Sequence, residues 1–189
     1  KPFHKPSFNA RTVRKGAVAH VPEDRHRIGL VMPFEACENT ILGYHDSSKF
    51  GIRGFLDRSA VIDDAARKMR AYDIRPPEPL LRTSLFSGGN QQKLVLAREI
   101  EHNPDLLIVG QPTRGVDIGA IEFIHRRLIE LREQGKGILL VSVELDEIRA
   151  LSDRILVMCA GSIVGECASG AAEADIGLLM AGIAREKAA

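Results

Sequence analysis

Hydrophobic residues along this chain alternate between continuous runs and helically spaced stripes, which is the pattern of an α/β fold. Continuous apolar runs predict strands at residues 17–21, 106–109 and 138–143. We expect the last two of these strands to be buried on both faces of a parallel sheet. Helical stripes separate the strands after residue 103, and this order predicts β-α-β-α-β topology with right-handed crossovers.

Capping residues predict where the helices begin. Ser87 precedes a run of helix formers, Asp57 begins a helix that extends to about residue 72, and Asp117 begins a third helix. The apolar stripe of this third helix consists of Ile121, Ile124, Leu128 and Leu131. Shorter helices are predicted over residues 34–42 and residues 145–151.

The distribution of these elements predicts how the chain is organised. Residues 30–86 show helical signals only, so we interpret them as a helical subdomain inserted in an α/β domain. The α/β core is expected over residues 103–167, where a hairpin-like turn at Ala160 and Gly161 joins two strands. The Ala-rich tail of residues 168–189 gives no functional signal. The whole chain of 189 residues therefore suits one domain that carries a subdomain.

Composition and charge exclude several classes of function. Lys and Arg together number 26 against 25 Asp and Glu, so no overall field draws the chain to nucleic acid. No apolar run is long enough to span a bilayer, so we expect any membrane role to act through a partner. The three cysteines form no close pair, which argues against a disulfide framework and for a reducing compartment.

The most informative stretch is Ser-Gly-Gly-Asn-Gln-Gln-Lys at residues 87–93. Its two glycines, Gly88 and Gly89, let the backbone approach another group closely because no Cβ intervenes. Since Ser87 opens a helix here, the unpaired N–H groups and the positive end of the helix dipole favour a phosphate. The alternative is a Gly-rich turn that only caps a surface helix, and the stretch alone leaves both interpretations open.

The carboxyl ends of the strands are a second place where chemistry is expected, because ligands of parallel sheets bind beyond those ends. Gln111 and Val143 stand at two of the predicted strand ends. Gln111 is neutral and cannot take a proton from water, and Val143 is apolar. The identities of these residues therefore limit what this edge of the sheet can catalyse.

The stretch at residues 87–93 resembles the signature motif of the ATP-binding subunits of ABC transporters. The segment Pro-Thr-Arg-Gly-Val-Asp, which ends at Asp117, resembles the loop after Walker B, with Asp117 as the D-loop aspartate. Val-Pro-Glu-Asp-Arg stands where the Q-loop falls, with Glu23 in place of the glutamine. The resemblance covers residues 11–166 and is closest to the second half of tandem ATPases of sugar and nucleoside importers. It implies a partial P-loop NTPase-like fold, in which the parallel sheet of an ABC ATPase carries the inserted helical subdomain.

The sequence departs from this family pattern at the positions that perform catalysis. Walker A, GxxxxGK[ST], is absent, since the Gly-Lys pair at Gly135 follows a helix and lacks the first glycine. The chain thus looks like a fragment that starts after Walker A. Gly110 and Gln111 replace the Asp-Glu of Walker B, and Val143 replaces the histidine expected after the next strand. We therefore expect no magnesium ligand, no general base and no γ-phosphate contact from these positions.

The resemblance also implies that two ATPase halves pack head to tail, and that each signature closes over ATP held by the other half. On that expectation the signature residues contact the partner's γ-phosphate, namely Ser87, Gly88, Gly89, Asn90 and Gln91. Asp117 would cross the interface near the same site. ATP and Mg²⁺ would be bound mainly by the partner half, and the chain's own site would hydrolyse little.

Further implications concern the partners and location of the chain. Residues 30–86 would dock transmembrane permease subunits, and Glu23 with its loop would carry the nucleotide state to that contact. The chain would then lie at the cytoplasmic face of the plasma membrane, held by a permease, without inserting into the bilayer and without binding nucleic acid. The wording Gly-Gln-Pro-Thr-Arg-Gly looks more like subunits of the nucleoside type than those of the ribose or galactose type.

Three other functions stay open at this point. They are a competent ATPase with a displaced base, a non-transport ABC protein of the DNA-repair or translation type, and an interaction module that only keeps the fold. The sequence contains no long coiled-coil heptads and no strong basic stripes, which disfavours the non-transport type. Phosphate release with MgATP would identify a competent ATPase, and loss of ATP-driven dimerisation would identify an interaction module.

Overall fold

The computed structural model describes residues 9–15, 17–52 and 55–183. Contacts between residues divide the chain into two compact units, residues 1–141 and residues 142–189, and each unit is described by itself. All the candidate site residues lie in the first unit, except Val143.

The first unit contains both helices and strands. Its helices are α1 (Ala10–Lys15), α2 (Ala36–Asn39), α3 (Arg58–Ala71), α4 (Gly88–Ile100) and α5 (Ile118–Glu133). Short helical turns lie at Arg25–Gly29 and Thr83–Leu85. Its strands are β1 (Val18–Val21), β2 (Gly51–Ile52), β3 (Phe55–Leu56), β4 (Leu106–Gly110) and β5 (Gly137–Val141).

A parallel sheet with the strand order β1-β4-β5 forms part of the first unit. Val21 lies opposite Val109, and Gly110 lies opposite Val141, so the carboxyl ends of these strands meet at one edge. Val21, Leu107 and Val109 are fully buried, whereas Leu106 and Ile108 on the other face of β4 are partly exposed, so the prediction of burial on both faces holds for one face of β4 only. The predicted α/β fold with a parallel sheet is confirmed.

The signature stretch opens α4, which is buried along almost its whole length. The Ser87 hydroxyl accepts a hydrogen bond from the N–H of Asn90, so Ser87 caps the helix as predicted. Asp57 caps α3 and Asp117 caps α5 in the same way, which confirms both of those predictions. A helix that is buried on all sides lies inside its domain. The alternative of a cap on a surface helix is therefore wrong.

Strand β5 is shorter and more exposed than its sequence predicts. It covers Gly137–Val141 instead of residues 138–143, and Leu139 and Val141 keep 50% and 54% of their surface exposed. Among the described strands β5 lies at the edge of the sheet, whereas β4 lies between two neighbours. An apolar run does not distinguish an edge strand from a central one. The predictions that β5 is buried on both faces and that Val143 stands at its end are therefore wrong.

Residues 30–86 contain α2, α3 and a short antiparallel hairpin of β2 and β3. Helix α2 is shorter than the predicted helix over 34–42, and the N–H of Glu35 at its start donates to the carboxylate of Glu38. The hairpin lies where the sequence shows no strand signal, because strands of two residues are too short to leave a periodic pattern. A buried cluster packs these elements together and consists of Cys37, Ile41, Phe50, Val61 and Ala65. The bounds of an inserted subdomain stay a prediction.

The second unit contains α6 (Leu145–Leu151), β6 (Arg154–Cys159), β7 (Ser162–Ala168) and α7 (Glu173–Met180). β6 and β7 form the predicted hairpin, and its turn residues Ala160 and Gly161 have φ angles of 48° and 80°. Positive φ at both positions gives the turn a twist that matches the strands. Helix α7 has no counterpart in the sequence prediction, and residues 184–189 of the predicted tail lie outside the described residues. Among the described helices, none is long and apolar enough to cross a membrane.

A buried ion cluster holds α3 against the segment that precedes it. Asp64 and Lys68 are almost inaccessible to solvent, and their side chains pair at 2.9 Å. Asp64 also accepts hydrogen bonds from Lys49 and Arg67, and Lys68 donates to the backbone oxygen of Thr40 at 3.1 Å. Burial raises the pKa of Asp64, but the hydrogen bonds from these cations outweigh burial and hold that pKa well below its ordinary value.

We expect Asp64→Asn to lower the free energy of unfolding by about 3–5 kcal/mol, because it leaves the Lys68 ammonium buried without a countercharge. Asp63→Asn is the matched control, since Asp63 is exposed on the same helix. It should change the free energy of unfolding by less than about 0.5 kcal/mol. Urea unfolding followed by circular dichroism measures both variants. Equal stabilities would contradict a structural role for the cluster.

Candidate functional site

The tip of α4 combines an exposed hydroxyl with the start of a buried helix. The Ser87 Oγ accepts hydrogen bonds from Asn90 N at 3.4 Å and from Asn90 Nδ2 at 3.0 Å. These two bonds use the lone pairs of the oxygen, so the O–H of Ser87 stays available as a donor. Ser87 itself is exposed. The helix tip can therefore offer a hydroxyl hydrogen to a group outside the chain.

The two glycines of the signature stretch pack closely within the chain. A Cβ on Gly88 would lie 2.8 Å from both Arg25 Nη2 and the backbone oxygen of Gly115. A Cβ on Gly89 would lie 2.8 Å from Asp117 Oδ2 and 2.9 Å from the Cβ of Ala120. Real Cβ atoms do not approach other atoms so closely. The sequence predicts a close backbone approach here, and the loop that follows β4 supplies it within the same chain.

The side chains of Asn90 and Gln91 bond to neighbouring segments. Asn90 Oδ1 accepts from the N–H of Arg75 at 3.0 Å. Gln91 is buried, and its Nε2 donates to the backbone oxygens of Thr83 and Phe86. The side-chain Oε1 of Gln91 bonds to a histidine described below, so both ends of the side-chain amide have partners. The backbone N–H of Gln91 donates to the oxygen of Ser87. A contact between Gln91 and an outside phosphate stays a prediction.

Asp117 has a structural role next to the signature stretch. Its Oδ1 accepts from the N–H of Ala120 at 2.9 Å, and its Oδ2 faces Gly89. The beginnings of α4 and α5 are thereby held side by side, with Asp117 between them. A shallow cleft lies beside Gly89 and Asp117 and is also lined by Lys93. Lys93 donates to the backbone oxygen of Asp73 at 3.0 Å. The structure thus brings together the predicted signature and D-loop residues in one place.

Glu23, Gly110 and Gln111 meet at the carboxyl end of the sheet. A Cβ on Gly110 would lie 3.1 Å from the backbone nitrogen of Glu23, so the two segments are in tight contact. Gln111 has a φ of 46° and donates its N–H to the oxygen of Val141 at 2.8 Å. The exposed carboxylate of Glu23 pairs with Arg114 at 3.2 Å. The predicted Q-loop and Walker B positions are therefore neighbours.

Gly110 and Gln111 do not supply the carboxylate that Mg²⁺ prefers, and the carboxylate of Glu23 at this edge pairs with Arg114. Mg²⁺ is bound through carboxylates and water, whereas Gly110 has no side chain and Gln111 offers an amide. Among the described residues, no cluster of three or more His, Cys, Asp or Glu side chains could hold a metal. Val143 belongs to the second unit, where it lies two residues beyond the last residue of β5 and is 68% exposed.

Sequence reasoning missed the contacts that the Arg25–Gly29 turn makes. Arg25 Nη1 donates to the oxygen of Arg114 at 2.8 Å, and Arg25 Nη2 donates to the oxygen of Gly115 at 3.2 Å. His26 Nε2 lies 2.8 Å from Gln91 Oε1, and the imidazole is the donor because an amide oxygen only accepts. A charged loop in a sequence gives no signal of such long-range partners.

We expect Gly89→Ala to lower the free energy of unfolding by about 1–3 kcal/mol, because its Cβ would overlap Asp117 and Ala120. Gly119→Ala is the matched control, since a Cβ there meets Asp117 Oδ1 at an ordinary 3.5 Å. The control should be neutral or should stabilise by up to about 1 kcal/mol through the helix propensity of alanine. Thermal unfolding measures both, and a Gly89 variant as stable as the control would show that the contact is not tight.

No protein-family profile matches the sequence. The chain is 43% identical over 183 residues to the guanosine import ATP-binding protein NupO of Bacillus subtilis, across 96% of the chain and 36% of that protein. It is 46% identical over 173 residues to the nucleoside import ATP-binding protein NupA of Lactococcus lactis, across 91% and 34%. It is 42% identical over 158 residues to the xylose import ATP-binding protein XylG of Moorella thermoacetica, across 84% and 31%. The chain spans about a third of the length of these relatives.

Solved structures of ATP-binding cassettes share the fold. A dimeric cassette in a post-hydrolysis state, bound to ADP and inorganic phosphate, matches with a TM-score of 0.67 at 21% identity, over 87% of this chain and 69% of that one. A nucleotide-free cassette from an ABC transporter matches with a TM-score of 0.67 at 18% identity, over 85% and 64%. The chain therefore belongs to the ABC ATP-binding protein family and has the fold of an ABC ATPase cassette.

Proposed function

We propose that this chain forms part of the second half of a tandem ATP-binding subunit of an ABC importer. In that role the tip of α4 completes an ATP site held by the other half, and the chain's own site hydrolyses little ATP. The observation that carries this proposal is an asymmetry. Ser87 stands exposed at the start of a buried helix, whereas β4 ends in Gly110 and Gln111 without a carboxylate.

Support for the role in trans comes from the chemistry of the α4 tip. The first N–H groups of a helix have no intrahelical acceptor, so those of Gly88 and Gly89 are suited to phosphate oxygens. The dipole of α4 adds a partial positive charge at the same end. The hydroxyl of Ser87 adds a third donor. The helix tip would therefore offer an incoming γ-phosphate three uncharged hydrogen-bond donors.

The end of β4 supports the second part of the proposal, an impaired site in this half. Gly110 cannot bind Mg²⁺, and Gln111 cannot accept a proton from the attacking water. General-base catalysis alone contributes about 10²–10⁴-fold to a rate. The losses at one site do not add, because such groups act as a unit. We therefore propose that ATP and Mg²⁺ are bound mainly by the other half.

The names of the relatives support a proposal for the transported compound. Their names refer to import of guanosine, nucleosides and xylose, and the nucleoside-import proteins align over more of this chain. We propose that the importer carries nucleosides, with simple sugars as the other class. Residues 30–86 would dock a transmembrane permease, and the chain would lie at the cytoplasmic face of the plasma membrane.

A competent ATPase with a displaced base is the second candidate, and the position of Glu23 favours it. The backbone of Glu23 packs against Gly110, so its carboxylate is near the end of β4. The ion pair between this carboxylate and Arg114 argues against that role, because the carboxylate contacts a cation at 3.2 Å, where a base would have to contact the reacting water. Both side chains are mostly exposed, which keeps the pair weak.

The trans role predicts that Ser87→Ala lowers ATP turnover by the complete transporter at least about tenfold, through loss of a phosphate donor. The same change removes a helix cap and lowers the free energy of unfolding by about 1 kcal/mol. Ser87→Thr keeps both cap and hydroxyl and should retain turnover. Ser87→Asp keeps the cap, but its ionised carboxylate only accepts hydrogen bonds, so it should restore stability without restoring turnover.

The control for this series is Ser84→Ala, because Ser84 is an exposed serine in the preceding turn. Steady-state phosphate release measures turnover, and urea unfolding measures stability. Turnover that follows stability across the variants, with Ser87→Asp as active as Ser87→Thr, would overturn the role in trans.

An impaired site predicts that Gln111→Asn and Glu23→Gln each leave ATP turnover by the complete transporter within about threefold, since neither residue serves as a base. Asparagine suits position 111, because it tolerates the positive φ there. If either residue assists hydrolysis, its variant should instead be slower by about 10²-fold or more. Stopped assays of phosphate release at saturating MgATP distinguish the two outcomes.

A further inference from the structure

We propose that Arg25 is a positioning residue that holds the loop after β4 against the tip of α4. This role deepens the proposed function and rests on it, because the tip of α4 is the part that would meet the partner's ATP. Arg25 belongs to the turn that follows Glu23. Arg25 therefore connects the segment that contains Glu23 to the signature stretch.

The contacts of Arg25 form a three-way junction. Its two terminal nitrogens donate to the oxygens of Arg114 and Gly115, at 2.8 and 3.2 Å. Arg25 Nη2 and the oxygen of Gly115 each lie 2.8 Å from the place that a Cβ of Gly88 would occupy. The guanidinium thus lies against two backbone segments besides its own turn, the loop at Arg114 and Gly115 and the tip of α4 at Gly88.

The electrostatics of this junction favour positioning over stability. Among the described residues, no carboxylate lies within ion-pair distance of the Arg25 guanidinium. Burial lowers the pKa of Arg25, and the charge of Asp24 offsets this only in part. The guanidinium also lies at the end of α4 that carries the positive dipole, which is an unfavourable place for a cation. The two carbonyl bonds need the planar fork of arginine, and a lysine offers only a point charge.

The turn that carries Arg25 is itself anchored to α4. The Asp24 Oδ1 accepts from the N–H groups of His26 and Arg27, each at 3.0 Å, which fixes the turn. His26 bonds to Gln91 on α4. Arg98, also on α4, donates to the oxygen of Gly29 at 2.8 Å. A movement of Glu23 would therefore be transmitted to α4 by two routes. One is the bond between His26 and Gln91, and the other is the contact of Arg25 with the Gly115 loop.

The test compares Arg25→Ala and Arg25→Lys with Arg27→Ala, which removes the same charge from an exposed neighbour. Amide hydrogen exchange on the chain follows three bonded N–H groups near the junction, those of Asn90, Arg114 and Ala120. Thermal unfolding establishes that each variant is folded. The kcat and KM for ATP are then measured in the complete transporter, with Ser87→Ala as a reference.

We expect Arg25→Ala to exchange at least about tenfold faster at these amides and to lower kcat about tenfold, because a small misplacement is costly in catalysis. The KM for ATP should stay within about twofold, since the other half holds the nucleotide. Arg25→Lys should resemble Arg25→Ala, and Arg27→Ala should resemble the unmodified chain. A purely structural role would change exchange and stability without lowering kcat.

Unchanged exchange in Arg25→Ala would overturn the proposal, whatever the turnover. Faster exchange with unchanged kcat would also overturn it if Ser87→Ala lowers kcat. If neither Arg25→Ala nor Ser87→Ala alters kcat, the role of the signature in trans has failed, and faster exchange would still support the junction. Full recovery of kcat by Arg25→Lys would show that charge matters instead of the fork geometry, and would overturn positioning.

Discussion

The close packing between the tip of α4 and the loop after β4 is the constraint on which the rest of the site depends. There is no room for a Cβ at Gly88 or Gly89, because Gly115, Asp117 and their neighbours occupy that space. The glycines that suit a phosphate are thus also required by the chain's own interior. Loss of activity in a glycine variant would not by itself identify a phosphate contact, which is why changes at Ser87 are more informative.

The burial of α4 turns its polar residues into internal connections. Arg98 and Glu99 are almost inaccessible to solvent and pair with each other at 2.8 Å. Glu99 also accepts from the hydroxyl of Tyr44 at 2.7 Å and from the N–H of His20 at 3.4 Å. A buried polar network whose members are bonded favours one arrangement over its alternatives. The helix that presents the tip is therefore fixed to β1 and to the helical region at the same time.

At the chain's own end of β4, Gly110 packs tightly against the Glu23 segment. A Cβ on Gly110 would meet the backbone of Glu23 at 3.1 Å, so an aspartate there would require the Glu23 segment to shift. Because Gly110 has no side chain, the Glu23 segment can pack closely against the end of β4.

The sequence by itself determined the parts that depend on local interactions. The caps at Asp57, Ser87 and Asp117 were predictable, because a capping side chain bonds to an N–H three residues ahead. The buried strand β4 and the hairpin of the second unit were predictable from apolar runs and turn residues.

Only the tertiary structure decided which segments these local elements meet. In the folded chain β5 lies at the edge of the sheet, and Gly88 and Gly89 pack against the loop after β4. Arg25 bonds to backbone oxygens 89 and 90 residues away. A linear pattern records what a residue can do with its neighbours along the chain. The exposure of a strand and the reach of a guanidinium are set by segments distant in sequence, so they follow from the packing of the whole unit.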